Sequence, residues 1–287
     1  MHIETQKLRE VIYSAQPLLR RPFALFSDML NDLLASRELA WRLFIRDTSS
    51  EYRQSLLGYL WIFLSPFIAA APWVFLNSQG IINIAATEIP YFLYVMVGMM
   101  LWQVFAESIS MPLSRVGDYK ILLSKANFPR EALIISGGYQ ILFRAFSRLV
   151  CILIFTAFFS VSIPLSIFLA PLGIFMLMLV GTIIGLMILP LGMLYKDIEK
   201  VLPIATTLCF FATPVVYPAP TKWPAVLLVR FNPISPILSA SREIITAGIP
   251  EVILPFIIYS VIGIILLFGA WVVYRVSMPH LVERMTA

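Results

Sequence analysis

The chain has 287 residues, of which 60% are hydrophobic and 13% charged, with a formal net charge of +5 and a mean hydropathy of +0.88. Soluble domains carry roughly 25% charged and 45–50% apolar residues, and one aqueous globule of this length could not hide so much apolar surface. That excludes a soluble domain and points to an all-α polytopic membrane protein. The apolar runs are continuous for about 20 residues, where barrel strands alternate over roughly ten.

Residues 1–56 read as a cytoplasmic N-terminal segment. Its start, "MHIETQKLRE", is polar, with no short apolar core to mark a cleavable signal. Within it, "FSDMLNDLLASRELAWRLFIRD" (Phe26–Asp47) places Leu30, Leu33, Leu34, Trp41, Phe44 and Ile45 at helical spacing, with Asp32, Glu38, Arg42 and Arg46 interleaved. This pattern predicts an amphipathic helix lying in the headgroup plane or packed on another cytoplasmic domain.

A membrane domain over 57–275 follows. Leu57–Asn77 and Pro90–Met111 are the first two candidate spans, and Ser114–Glu131 joins the second to the third. That connection is basic, yet Tyr119, Ile121, Leu122 and Leu123 make it too apolar for a purely solvated loop, which suggests a short helix facing a partner protein. Leu149–Tyr195 is 47 residues without an Asp, Glu, Lys or Arg. A straight helix of that length would be about 70 Å long, roughly twice a hydrocarbon core, so it must turn back, naturally at "FFSVSIPLS" (Phe158–Ser166). Spans three and four are therefore expected at about 132–159 and 167–194, span five at 201–217 and span six at 252–274. Between the last two, six prolines cut Pro218–Glu251 into pieces too short to cross, predicting re-entrant outer helices. Residues 276–287 are left as a cytoplasmic tail.

Sixteen of the 21 Lys and Arg fall on the side of the N-terminus, the second-to-third loop, the fourth-to-fifth loop and the tail. The positive-inside rule then places both termini in the cytoplasm of an inner (plasma) membrane protein.

The chemistry of enzymes is scarce. No Gly-x-x-x-x-Gly-Lys-Ser/Thr phosphate loop is present, His2 and His280 lie near the ends, and Cys151 and Cys209 sit inside apolar runs. No metal site is expected. Glu107 is the exceptional carboxylate inside a span, which counts against coupling to an ion gradient. Arg144 and Arg148, four apart on one helical face, are either a cationic step for an anionic substrate such as a lipid-linked phosphate or a pair reaching the headgroups. Aromatic side chains in spans one, two and five suit either passing sugar rings or interfacial anchoring.

Four motifs in order carry a resemblance: "IRDTSSEYRQSLLGYLWIFLSPF" (Ile45–Phe67), "KANFPREAL" (Lys125–Leu133), "LGMLYKDIEKVLPIATTLCFFATPVVYP" (Leu191–Pro218) and "FNPISPILSASREIITAG" (Phe231–Gly248). Together they resemble the type-two ABC exporter permeases, closest to the membrane subunits that export O-antigen, capsule and teichoic acid. The resemblance implies a homodimeric pore of six-span subunits above two ATP-binding cassette subunits. ATP and magnesium would sit on those partners, no cofactor would be bound by this chain, and nucleic acid would play no part. It implies entry of a lipid-linked glycan near the cytoplasmic leaflet, with Arg46, Tyr52 and Arg53 reading a diphosphate at headgroup level. Gly58 would allow close packing there, with Trp61 and Pro66 shaping the helix above and Arg144 and Arg148 contributing deeper. Arg37 and Trp41 of the amphipathic helix, with Tyr119, Ile121 and Leu122, would contact the ATPase. Pro218, Trp223, Asn232 and Arg242 would form an outer gate. Two alternatives stay open: a permease for a drug or lipid, and an intramembrane polyprenyl-phosphate glycosyltransferase or acyltransferase. The second would need clustered acids or a histidine near the bilayer surface, where the loops offer only Glu88, Asp197 and Glu199.

Overall fold

The computed structural model describes residues 22–286 except 54–57, 59, 83, 85, 86, 88, 127, 160, 163, 221, 249, 251 and 252. The expectations for residues 1–21, and for the 54–57 part of the first motif, lie outside these. The regular structure of the described residues is all helical, without strands: α1 Pro22–Arg53, α2 Leu60–Ser78, α3 Tyr91–Asp118, α4 Lys120–Lys125, α5 Glu131–Phe158, a 3-10 turn Leu165–Leu169 running into α6 Ala170–Leu194, α7 Asp197–Ala212, α8 Ala225–Phe231, α9 Ile234–Thr246 and α10 Ile253–Thr286.

Four of these stretches are long and apolar enough to cross a membrane: Tyr91–Asp118, Glu131–Phe158, Leu165–Leu194 and Ile253–Arg284. The apolar part of α2, Leu64–Ser78, is shorter. Helix α7 has 16 residues, about 24 Å against a hydrocarbon core of about 30 Å. It stops at Ala212, five residues before the expected end at Tyr217. Thr213 precedes Pro214 and is extended at φ −111°, ψ 138°, the conformation a following proline favours. It also starts earlier than Val201, with Asp197 and Glu199 in the first turn, where carboxylates complement the helix dipole.

Other boundaries move for similar reasons. Helix α3 continues through Pro112 to Asp118 instead of ending at Met111, because Leu113, Arg115 and Val116 remain buried. Helix α9 begins at Ile234, so that Pro236 falls in its first turn, where a missing amide donor breaks no bond. Helix α10 runs on through the residues read as a tail. Gly58 sits at φ +48°, and among the described residues an added Cβ there would meet nothing closer than 3.7 Å. Its positive φ serves the left-handed turn between α1 and α2.

Helices α3 and α6 form the central pair; α9 and α10 cover α6, while α5 and α2 cover α3, and α1 lies along α5. The central approach is set by glycines. A Cβ on Gly185 would lie 2.4 Å from the Ile109 carbonyl oxygen, and one on Gly181 would lie 2.6 Å from that of Phe105. Small residues four apart let two helices close to backbone contact in lipid, where dispersion between close surfaces drives association. One apolar core fills α3, α5, α6 and α9 around Leu101, Phe105, Ile152, Leu177 and Ile237. A second, with Leu43, Val116, Leu123, Leu133, Leu189 and Tyr274, gathers α1, α3, α4, α5, α6 and α10 at the end that carries Lys120 and Lys125, hereafter the basic end.

Candidate functional site

Helix α1 is amphipathic as its spacing predicts, but two of its faces are apolar in different ways. Met29, Ser36, Ala40 and Leu43 are buried, and the small side chains let α1 lie close on α5. Leu34, Trp41 and Ile45 remain exposed on the other face. Between these faces α1 presents carboxylates to arginines of the bundle. Asp32 accepts from Arg275 of α10 at 2.6 Å, and the same guanidinium donates to Glu131 of α5 at 3.0 Å.

At the far end of α1 the connections concentrate. One Asp47 oxygen accepts from Arg115 Nη1 and from the Tyr119 hydroxyl, both at 2.5 Å; the other accepts from Arg46 at 2.9 and 3.1 Å. Arg46 also donates to the Tyr119 hydroxyl, and its guanidinium lies 5.3 Å from the centre of that ring. Burial works against ionisation of Asp47, but the hydrogen bonds from Tyr119, Arg46 and Arg115 outweigh it and lower its pKa. Tyr119 is pushed up to about 12, first by burial and then by its bond to Asp47, so it stays a donor. This knot fastens α1 to the junction of α3 and α4.

One turn further, Glu51 accepts from Arg144 of α5 at 2.8 and 2.9 Å. Arg144 also reaches Glu107 of α3 at 3.4 Å, and Glu107 accepts from Arg148 at 2.7 Å. The four-residue spacing of the two arginines places both beside one acid. Arg148 is nine-tenths buried, and its Nη1 has no hydrogen-bond partner among the described residues.

A cavity of about 710 Å³ opens among these groups at the basic end, lined by Arg46, Asp47, Glu51, Glu107, Arg115 and Arg144, with Ile121, Leu122 and Lys125 at its α4 wall. Residues expected in two separate roles thus share one chamber: Arg46 and Arg144 from the substrate set, Tyr119, Ile121 and Leu122 from the ATPase set. Tyr52 is half-buried beside Phe143, at 6.4 Å between ring centres, and Arg53 is exposed at the end of α1. Trp61 is exposed on α2. None of Tyr52, Arg53 and Trp61 is among the described residues lining the chamber. Arg37 and Trp41 line a different groove of about 550 Å³ with Leu34, Glu38 and Tyr139. Tyr119 is only 7% exposed and committed to Asp47, whereas Ile121 is 72% exposed on α4. A second hollow of about 420 Å³ lies between α3 and α7, and Glu107, Ser110 and Ser114 border both.

At the opposite end, the four outer residues divide. Arg242 of α9 is buried and donates to the carbonyls of Pro214 at 2.8 Å and Val215 at 2.5 Å and to the Tyr94 hydroxyl, over whose ring it lies at 4.1 Å. Gly98 makes room for this: a Cβ there would fall 2.0 Å from the Val215 carbonyl oxygen. Asn232 donates to Thr213 Oγ1 at 2.8 Å and accepts from the Ile234 amide at 3.0 Å. Both therefore staple the chain after α7, while Pro218 is half-buried and Trp223 exposed.

The acids Asp47, Glu51 and Glu107 and the basic Arg115 are the site residues that sequence reasoning did not assign. A signal existed for Glu107: two arginines in a span require a counter-charge, and it was the exceptional carboxylate available. In the sequence Arg115 is one of the Lys and Arg of the second-to-third loop, with nothing to set it apart. No group of three or more metal-ligating side chains occurs among the described residues.

Residues 38–246 match the sequence profile of the family described as ABC-2 type transporter. The chain is 24% identical over 245 residues to the O-antigen export system permease protein RfbA of Myxococcus xanthus, an overlap of 84% of this chain and 93% of that protein. Two proteins of the same description from Klebsiella pneumoniae are 23% and 25% identical over 210 and 215 residues, each covering 71% of this chain and 78% of its relative.

Proposed function

Because the chain belongs to the ABC-2 type transporter family, and is thus a transporter membrane subunit and not an enzyme, we propose that it is the permease of an exporter for a lipid-linked polysaccharide. The cargo class rests on the relatives described as O-antigen export permeases. The observation that carries the entry step is the arginine-lined chamber at the basic end, bounded by α1, α3, α4 and α5.

In this reading a diphosphate headgroup reaches the chamber from the cytoplasmic leaflet of the inner membrane, and both termini are cytoplasmic. Arg46 and Arg144 meet its oxygens with charge-assisted hydrogen bonds, to which the planar guanidinium is well matched. The polar border formed by Glu107, Ser110 and Ser114 leads from there towards α7. Helices α2 and α7 complete six crossings, α8 and α9 dip in from the outside, and two copies of the chain frame the conduit. Trp223 and Pro218 lie at the outer mouth, which the Arg242 and Asn232 staples hold in shape.

The energy comes from ATP, with magnesium, on two ATP-binding cassette subunits. They dock on the exposed Ile121–Leu122 edge of α4 and on the Arg37–Trp41 face of α1. The knot around Asp47 joins those two contact areas into one body, so a push on α4 moves α1. Cells lacking the chain are expected to retain completed glycan on its diphosphate carrier at the inner face and to lose it from the surface, with restoration by the wild-type chain. Normal surface glycan in such cells would refute the reading.

A further inference from the structure

We propose that Glu51 is an exchangeable counter-ion, holding Arg144 until the phosphate of an arriving ligand takes its place. The inference rests on the chamber being the entry site for a phosphate-bearing lipid and adds a specificity device to it. Its basis is the unequal footing of the acids around one row of arginines. Asp47 is fixed by donors from three residues, and the Arg115 side chain it neutralises is 8% exposed. Glu107 sits in the middle of α3 and accepts from Arg148 at 2.7 Å, closer than its 3.4 Å contact with Arg144. Glu51 is different: its side chain is 46% exposed, it lies two residues from the end of α1, and Arg144 is its ion-pair partner.

Charge counting gives the direction. Glu51, Arg144, Glu107 and Arg148 together are neutral, so the row has no net attraction for an anion while Glu51 is in place. When Glu51 swings to water, the remaining three carry one positive charge. Arg144, which lines the chamber, then keeps Glu107 at 3.4 Å and has the two contacts it gave Glu51 released, so it has donors to spare. A diphosphate, with several oxygens and more than one negative charge, supplies acceptors for them better than the single carboxylate it displaces. Helix α1 need not leave, because Asp47 anchors it one turn away. A neutral headgroup cannot displace the carboxylate, so an uncharged lipid gains no entry.

The test uses the full chain in phosphatidylcholine nanodiscs, titrated calorimetrically with farnesyl diphosphate, farnesol and inorganic diphosphate. Wild type is expected to bind farnesyl diphosphate saturably, and Glu51→Gln to bind it about three- to tenfold more tightly, as removal of one competing, half-exposed charge pair implies. Arg144→Gln is expected to weaken binding, and adding Glu51→Gln to it to change nothing further, which a merely structural role for Glu51 would not produce. Inorganic diphosphate competing while farnesol does not identifies the headgroup as the recognised part; farnesol competing equally overturns the proposal. If wild type binds and Arg144→Gln does not, but Glu51→Gln is unchanged or weaker, the exchange is refuted and the entry site stands. If wild type shows no saturable binding, the entry site itself is refuted.

Discussion

Replacing Asp47 by Asn tests the knot that joins α1 to the α3–α4 junction. The substitution keeps the shape but removes the charge that three donors share, and leaves Arg115, 8% exposed, without its carboxylate. Breaking a buried pair from one side costs about 3–5 kcal/mol, and the partial exposure of Asp47 brings the expectation down to about 2–3 kcal/mol. Arg115→Met should cost less, because Asp47 retains Arg46 and Tyr119. The double variant should recover part of the sum, giving a coupling of more than about 1 kcal/mol in a double-mutant cycle. Thermal unfolding in nanodiscs, with a fluorescence reporter on α1, reads each term. The pKa of Asp47 is depressed in the folded protein, so its stabilisation is present above the ordinary value of 3.8 and lost only as pH falls through the lower folded value. The α1 signal should therefore be flat from pH 7 to 5 and fall below about pH 4. A coupling near zero, or loss of the α1 signal already at pH 6, would refute the reasoning.

Three further expectations concern other parts of the molecule. Gly185→Ala, whose Cβ would lie 2.4 Å from the Ile109 carbonyl oxygen, should prise α3 from α6 and lower the unfolding midpoint by several degrees, while Gly138→Ala, which meets nothing within 4 Å, should leave it in place. Ile121→Ser with Leu122→Ser should abolish recovery of the ATP-binding partner in pull-downs at normal membrane levels of this chain; full recovery would remove α4 from the docking surface. Arg242→Met leaves the carbonyls of Pro214 and Val215 and the Tyr94 hydroxyl without their common donor, at a cost of about 2–4 kcal/mol seen in the unfolding midpoint, and should free the 213–216 segment to limited proteolysis.

How much of this was legible in the sequence differs from part to part. The helices with long apolar runs were placed within a residue or two over α5 and within a few over α6, because burial in lipid writes itself into composition. Ends were read less well where polar residues decide them. Helix α3 passes through Pro112 because Leu113 and Val116 still face the core, and α7 stops at Ala212 because Thr213 precedes a proline. The sequence marks Arg144 and Arg148 as unusual, but their carboxylate partners come from helices 37 to 93 residues away in the chain, a distance no local pattern encodes. Tyr119 looked like part of an exposed apolar patch with Ile121 and Leu122. Its hydroxyl is what sets it apart, and only the fold brings Asp47 to it.

The central claim is that this chain forms a conduit for a diphosphate-linked glycan and draws its energy from another subunit. The most direct measurement is translocation of a fluorescent polyprenyl-diphosphate oligosaccharide into proteoliposomes holding this chain, with and without its ATP-binding partner. Transport should require the partner, ATP and magnesium together, and should fall sharply with Arg144→Gln. Transport by this chain alone, or transport indifferent to the diphosphate, would contradict the account.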